Sequence, residues 1–142
     1  MYHENCIFCK IVNKEIPCYK FYEDSDFIGF LSIAPHNKGH SLVVPKDHYH
    51  WVWDHPNIGA YFEVVQAVVK ALKKAFNTDL IVGMQVGEEV PHAHVSLIPR
   101  YENDNHGGSI NTAIKHSFSA EEMTTIAKMI EENMDGSARS KE

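Results

Sequence analysis

The sequence predicts an α+β domain built around a mostly antiparallel, five-stranded sheet. Three observations carry this reading. Five short segments have strand composition, one long amphipathic helix separates the third from the fourth, and a further helix closes the chain. At 142 residues the chain suits one domain with one sizeable core. Its 44% hydrophobic and 23% charged content is ordinary for a globular protein. The domain is expected over residues 1–135, with the polar stretch 136–142 as a disordered tail.

Residues 19–23 and 26–31 form the first two strands, joined across the polar pair Asp24-Ser25. Residues 32–38, carrying Pro35 and Asn37, read as a loop. The third strand is the short β-branched run 41–44, closed by Pro45. Ile58, Tyr61, Phe62, Val65, Val68, Val69, Leu72 and Phe76 then recur at helical spacing. Asn57 is the N-cap, Lys73 and Lys74 complement the dipole of the last turn, and Asn77 takes the left-handed exit. Residues 80–86 and 92–98 are the fourth and fifth strands, the latter ended by Pro99. The last helix begins at Ser119 with Glu122 completing a capping box, and its apolar positions are Met123, Ile126, Ile130 and Met134.

Thirteen Lys and Arg against 19 Asp and Glu leave a net charge of −6. That balance argues against nucleic acid as a partner, which needs a basic stripe, and against a polybasic membrane anchor. No run approaches the roughly 18 apolar residues of a membrane span. The N-terminal stretch lacks the basic-then-apolar order of a secretory signal, so a cytoplasmic setting is expected. Three cysteines, Cys6, Cys9 and Cys18, are an odd, low count that makes no disulfide framework, and in that setting a cysteine pair points to a metal or to chemistry. The unusual count is histidine, with ten. Histidine is both the near-neutral proton carrier and the commonest metal ligand.

Three of the ten fall into patterns. In a strand, His92, His94 and Ser96 share one face while Ala93, Val95 and Leu97 share the other. The apolar face goes to the core. The polar face meets solvent, a ligand or a metal, because neighbouring imidazoles are costly to bury without partners. Cys6-Ile7-Phe8-Cys9 reads as half of a zinc site, as a redox pair or as two packed thiols. A redox pair of this spacing sits between a strand and a helix, and no strand precedes Cys6. Cys18 stands alone and reads as a packed small apolar residue. A tetrahedral zinc site therefore needs two histidines, and His48, after the third strand, and His92 are the candidates.

Several stretches, in this order and spacing, resemble the histidine triad (HIT) hydrolases and transferases from Cys6 to Tyr101. They are Cys6-Ile7-Phe8-Cys9-Lys10-Ile11, Gly39-His40-Ser41-Leu42-Val43-Val44-Pro45-Lys46 with His48, and Val90-Pro91-His92-Ala93-His94 with Leu97-Ile98-Pro99-Arg100. The resemblance implies the HIT-like fold, which adds a short N-terminal helix to the elements above. It implies that His94 attacks the α-phosphorus of a nucleotide, such as a nucleoside phosphoramidate or dinucleoside polyphosphate. A nucleotidyl-histidine forms and is resolved by water or another acceptor. Imidazole suits this role as a neutral nucleophile near pH 7. By the same resemblance His40 lines the phosphate pocket and Ser96 stands at the third motif position. A purine nucleotide would lie among Ile7, Phe8, Ile11, Phe30 and Ile33, with Ser32 at the ribose and Gln85 on the loop before the motif. The resemblance also implies structural Zn2+ on Cys6, Cys9, His48 and His92, and a homodimer.

Three positions depart from the family pattern. Ser96 replaces the third histidine, and serine donates a hydrogen bond but carries no proton near pH 7. The related uridylyltransferases also lack that histidine, and they transfer. Ser32 stands where most relatives have Asp or Asn. The loop 85–90 is shorter than the family's, leaving Glu88 or Glu89 as a leaving-group contact or as solvated carboxylates. Trp51 and Trp53 either meet a dimer partner or cover the core. His3, His36, His50, His55, His106 and His116 receive no role. Three readings stand: a zinc-containing hydrolase or transferase acting through His94, a catalytically weak or inactive nucleotide-binding or interaction module, and a hydrolase with the metal at the chemistry. The third requires an open metal position, whereas four ligands are already available.

Overall fold

The computed structural model describes residues 2–134; the tail expected over 136–142 lies outside the described residues. The elements in chain order are α1 (Ile7–Val12), β1 (Lys20–Glu23), β2 (Phe27–Leu31), β3 (Ser41–Pro45), a 3-10 turn (Val52–Asp54), α2 (Ile58–Phe76), β4 (Ile81–Met84), β5 (Val95–Pro99) and α3 (Ala120–Glu132). The strands form a single sheet in the order β1-β2-β3-β5-β4. Every neighbouring pair is antiparallel.

Strand alternation gives the sheet two different faces. Phe27, Leu31, Val43, Val95 and Leu97 join α2 and α3 in the main core, with Tyr61, Val65, Val68, Leu72, Met123, Ile126 and Ile130. Ile28, Phe30, Leu42 and Val44 face the other way, onto Phe8, Cys9 and Ile11 of α1. Helix α1 is short, so it covers only part of that second face. Towards β4 the face is carried by Leu42, Ser96 and Met84, which stand in register across β3, β5 and β4. This uncovered part of the sheet becomes the floor of the site.

The helix signals act as the sequence predicts. Asn57 Oδ1 accepts the Ala60 N–H at 3.1 Å, and Asn77 leaves α2 with φ of 49°. Ser119 and Glu122 exchange both capping-box bonds, at 3.1 and 2.8 Å. Tyr61, buried on α2, donates its hydroxyl to the Val43 carbonyl at 2.8 Å and ties helix to sheet.

The strand bounds differ instructively. β1 and β2 are joined by three residues, because Asp24 Oδ1 accepts the N–H groups of both Asp26 and Phe27, at 2.8 and 2.7 Å. That local turn takes Asp26 out of the ladder. β4 stops at Met84, so Gln85 and Val86 belong to the loop. β5 begins at Val95 and not at His92. The His92 N–H turns back to the Val90 carbonyl at 2.8 Å, which bends the chain ahead of the ladder, and the Phe8 ring of α1 meets both His92 and His94 edge to face. His92 is fully buried while His94 and Ser96 are half-buried.

Glu23 closes β1 between two ammonium groups, 2.6 Å from Lys20 Nζ and 2.7 Å from Lys46 Nζ. Burial pushes its carboxyl upward, but the two lysines outweigh this and hold it down at about 2. A folded-state value below the ordinary 4.5 means that the stabilisation is complete above pH 4.5 and is lost as pH falls from there toward 2. Glu23→Gln is therefore expected to lower stability at pH 7 by about 1–2 kcal/mol, part of the ion-pair energy being screened at the more exposed Lys20. Urea titrations from pH 7 to pH 2.5 check this. The gap between the two proteins should close through the acid window, and parallel acid limbs would refute the assignment.

Candidate active site and metal centre

A cavity of about 540 Å3 lies on the second sheet face. Leu42, Met84 and Ser96 form its floor. Its walls come from three loops: Ser32, Ala34, His36 and His40 before β3, residues Val86 to Glu89 before the histidine motif, and Thr112 and Lys115 from the β5–α3 connection. His94 stands at the head of β5 and lines it too. Glycines shape two of the turns. Gly39 has φ of +88°, and a Cβ there would lie 2.8 Å from the Phe76 ring. Gly87 has φ of +82° and sits against Trp51 in the same way.

The hydrogen bonds of the two histidines fix their protons. His94 Nδ1 is 2.8 Å from the His92 carbonyl oxygen. A carbonyl only accepts, so Nδ1 donates and the lone pair of the neutral ring is on Nε2. The Phe8 ring meets His94 edge to face at 5.2 Å and 83°. His40 has the opposite arrangement. Its Nδ1 accepts the His36 backbone N–H at 3.1 Å, so its proton is on Nε2. That Nε2 is buried and meets no protein partner among the described residues. Burial, with smaller contributions from His36 and His94, pushes the His40 pKa down to about 3, so the ring is neutral near pH 7. An unpaired buried donor costs about 1–3 kcal/mol. It is a group arranged to meet an acceptor that the protein does not supply. Both rings line one cavity, one with its lone pair on Nε2 and the other with a neutral Nε2–H, which are groups able to act as a nucleophile and as a hydrogen-bond donor.

Behind His94 lies a second cluster. The ligand atoms of Cys6, Cys9, His48 and His92 all fall within 4.8 Å of one another. Cys6 Sγ is 3.2 Å from His92 Nδ1, and Cys9 Sγ is 3.3 Å from His48 Nδ1 and 3.5 Å from His92 Nδ1. Zinc bond lengths of about 2.3 Å to sulfur and about 2.0 Å to nitrogen give tetrahedral S···N edges of about 3.5 Å. The cluster is therefore already close to the size of a zinc site. His92 Nε2 donates to the Pro45 carbonyl at 2.8 Å, which leaves the Nδ1 lone pair facing the sulfurs. Cys6 doubles as the N-cap of α1, accepting the Cys9 N–H at 3.3 Å. Burial raises the Cys9 thiol pKa and lowers those of both histidines, that of His92 to about 4. A metal cation reverses this preference for an uncharged Cys9 thiol. The donor set fits zinc: two sulfurs and two nitrogens, with no fifth ligand in the group.

The other residues predicted for the site are distributed as follows. Ser32 lines the main cavity with His40, His94 and Ser96. Gln85 lines a smaller one that shares His94, Val86 and Gly87 with the first and adds Trp51 and Trp53. Phe8, Ile11 and Phe30 are buried in the α1 cluster, while Ile7 and Ile33 are exposed. Cys18 is half-buried against that cluster. His36, Thr112 and Lys115 complete the cavity wall without having been marked in the sequence. No motif signals them, because long-range loop packing brings them there.

Comparison with known proteins places these features in a family. The HIT domain profile matches residues 13–103. A HIT-like protein of Methanocaldococcus jannaschii is 47% identical over 105 residues, which is 70% of this chain and 81% of that protein. An adenosine 5′-monophosphoramidase of Schizosaccharomyces pombe is 34% identical over 130 residues, 89% of this chain and 96% of its own. Among solved structures, a Hit-like protein of Bartonella henselae matches with a TM-score of 0.77 at 35% identity, covering 94% of this chain and 100% of that one. A Zn-bound histidine triad family protein of Mycobacterium smegmatis matches with a TM-score of 0.72 at 25% identity, covering 90% and 91%. The matched residues include His40, His48, His92, His94 and Ser96, so on motif, architecture and similarity together the chain belongs to the HIT family.

Proposed function

We propose that the chain is a nucleotide hydrolase or nucleotidyl transferase in which His94 Nε2 attacks the α-phosphorus of a purine nucleoside phosphoramidate, a dinucleoside polyphosphate or a related nucleotide. The observation that carries this is the presence of both rings around one cavity: His94 with its lone pair on Nε2, and His40 with a neutral Nε2–H that meets no partner among the described residues. A bond forms between Nε2 and phosphorus. The bond to the leaving group breaks, and its electron pair departs with that group. The cationic nucleotidyl-imidazole keeps its Nδ1–H on the His92 carbonyl, which favours the developing positive charge. His40 donates to a phosphoryl oxygen as negative charge accumulates there. Water or another acceptor then attacks phosphorus and releases His94. The monophosphoramidase activity named for the fission-yeast relative supports an amidate as the first substrate to try.

In this reading Ser32, which lines the cavity, meets the ribose and Gln85 approaches from the smaller cavity, while Ile7, Phe8, Ile11, Phe30 and Ile33 line neither, Phe8, Ile11 and Phe30 being packed under α1. Zinc held by Cys6, Cys9, His48 and His92 would supply charge and geometry, not a reaction site. A homodimer through α2 and the β4 edge agrees with the exposure of Ile58 and Phe62. Mass spectrometry after exposure to a panel of nucleoside phosphoramidates and dinucleotides tests the central claim. Addition of one nucleotidyl group is expected, and no adduct and no turnover with any member would sink it.

Ser96 marks where the chain departs from the usual hydrolases. It is half-buried on the cavity floor between Leu42 and Met84. The cavity above it has room for an imidazole. Ser96→His is expected to raise hydrolysis at least tenfold, since general acid–base assistance contributes about 10²–10⁴-fold. Steady-state kinetics on an AMP amidate give the answer, and an unchanged rate in a folded variant would place leaving-group handling elsewhere. A second reading, a binding module without turnover, draws on Ser96 and Ser32. Calorimetric binding of mononucleotides with no turnover of any amidate or polyphosphate would favour it.

A further inference from the structure

His106 lies in the β5–α3 connection, beyond the residues matched by the family profile. It is 6% exposed. Its Nε2 is 2.7 Å from the His36 carbonyl oxygen and 3.2 Å from Asn37 Oδ1, and its Nδ1 accepts the Asn111 backbone N–H at 3.0 Å. Two acceptors face one ring nitrogen and a donor faces the other, so a neutral ring with its proton on Nε2 satisfies every contact. The Asn37 amide is fixed in turn, because its Nδ2 donates to the Pro99 carbonyl at 2.8 Å and to Asp104 Oδ2 at 3.0 Å. The Arg100 guanidinium holds Asp104 as a fork, Nε to Oδ2 at 2.8 Å and Nη2 to Oδ1 at 3.1 Å.

This network ends on His36, which is held at three points. Its carbonyl accepts the hydrogen bond of His106 Nε2–H, its Nδ1 donates to the Ile114 carbonyl at 2.8 Å, and its backbone N–H donates to His40 Nδ1 at 3.1 Å. The two rings also stack, with centroids 5.2 Å apart. The last hydrogen bond keeps the His40 proton on Nε2, because the other tautomer would set N–H against N–H. We propose that His106 is a positioning residue: by immobilising His36 it holds His40 in the Nε2–H form and orientation that faces a phosphoryl group. This rests on the reading of His40 as a phosphate donor. The low His40 pKa agrees with it, since a neutral ring has a tautomer to be set.

The test is direct. Long-range 1H–15N spectra of histidine-labelled protein report the tautomer of each neutral imidazole. In the wild type, His40 is expected as a single Nε2–H form. His106→Leu should turn it into a mixture, and His106→Gln, which can donate an amide N–H to the same carbonyl, should restore it. Against an AMP amidate, His106→Leu should lower kcat about tenfold with KM changed less than about threefold, in line with the large rate losses that small misplacements produce. In a His40→Ala background the same substitution should produce no further loss. An unchanged His40 tautomer in folded His106→Leu protein, or an equal loss in both backgrounds, would overturn the inference. Should His106→Leu fail to fold, His106→Asn, whose shorter amide falls short of the His36 carbonyl, is read in the same way. If the wild type processes no amidate, the catalytic reading fails on that measurement, while the spectra still decide the role of His106.

Discussion

His94→Ala is expected to lower turnover of an AMP amidate by about 10⁴-fold or more and to abolish covalent capture of the nucleotide. The magnitude follows from the role. A nucleophile that forms the intermediate has no partial substitute, so binding and charge stabilisation alone remain, and such residues dominate rate loss in enzymes of this type. The fold should survive. His94 is half-buried, its ring makes one hydrogen bond among the described residues, to the His92 carbonyl, and the Phe8 ring meets it edge to face. Truncation therefore removes chemistry without opening the main core, and the change in unfolding free energy should stay within about 1–2 kcal/mol. His94→Gly gives a sharper version, because free imidazole can enter the space and restore part of the rate. Equal hydrolysis by wild type and a folded His94→Ala protein would remove His94 from the mechanism. Loss of turnover with the covalent adduct still forming would move the nucleophile to another residue.

What could be read from the sequence divides along a physical line. Features set by local chemistry were legible. The caps at Asn57 and Ser119, the left-handed exit at Asn77 and the period of α2 all depend on neighbours within a few residues. The Cys6–Cys9 pair and its two histidines were also legible, because tetrahedral coordination limits which residue types can complete a site. The start of the fifth strand was not legible: residues 92–94 precede the ladder, although His92 and His94 both meet the Phe8 ring, as a shared face implies. A turn held by the Val90 carbonyl bends the chain there, and the Cys cluster takes the ring. Period-2 reasoning assumes an unbroken ladder, and the ladder starts only at Val95. The wall formed by Thr112 and Lys115, and the buried His106 beneath it, left no trace in the pattern. Their positions depend on Asp104, Asn37 and His36, separated in sequence and joined only by tertiary hydrogen bonds.

The two clusters are parts of one device, and the metal end of it yields the second large prediction. Helix α1 has six residues, far below the roughly 12–15 at which a helix is even marginal alone in water. It is held by its apolar face and by two cysteines that reach His48, just past β3, and His92, just before β5. The same helix carries Phe8 against both His92 and His94. Zinc would therefore tie three separate chain segments at the point where the nucleophile is presented. The protein is expected to hold about one zinc per chain. Chelation, or Cys9→Ser, should lower stability by about 3–5 kcal/mol, or roughly 10–15 °C in Tm for a chain of this length. Activity should fall with it, because a shift of the His92 carbonyl moves the hydrogen bond that sets His94. Elemental analysis with thermal melts, before and after chelation, measures the first effect. Replacement by cadmium, which keeps tetrahedral sulfur and nitrogen ligands, separates position from chemistry. A metal that only holds geometry should leave kcat within about twofold after the exchange, since no ligand position is open to substrate. A large change in kcat would put the metal at the reaction after all. An unchanged Tm on chelation would mean that the thiols and imidazoles pack without it, and that α1 is held by Phe8, Cys9 and Ile11 alone.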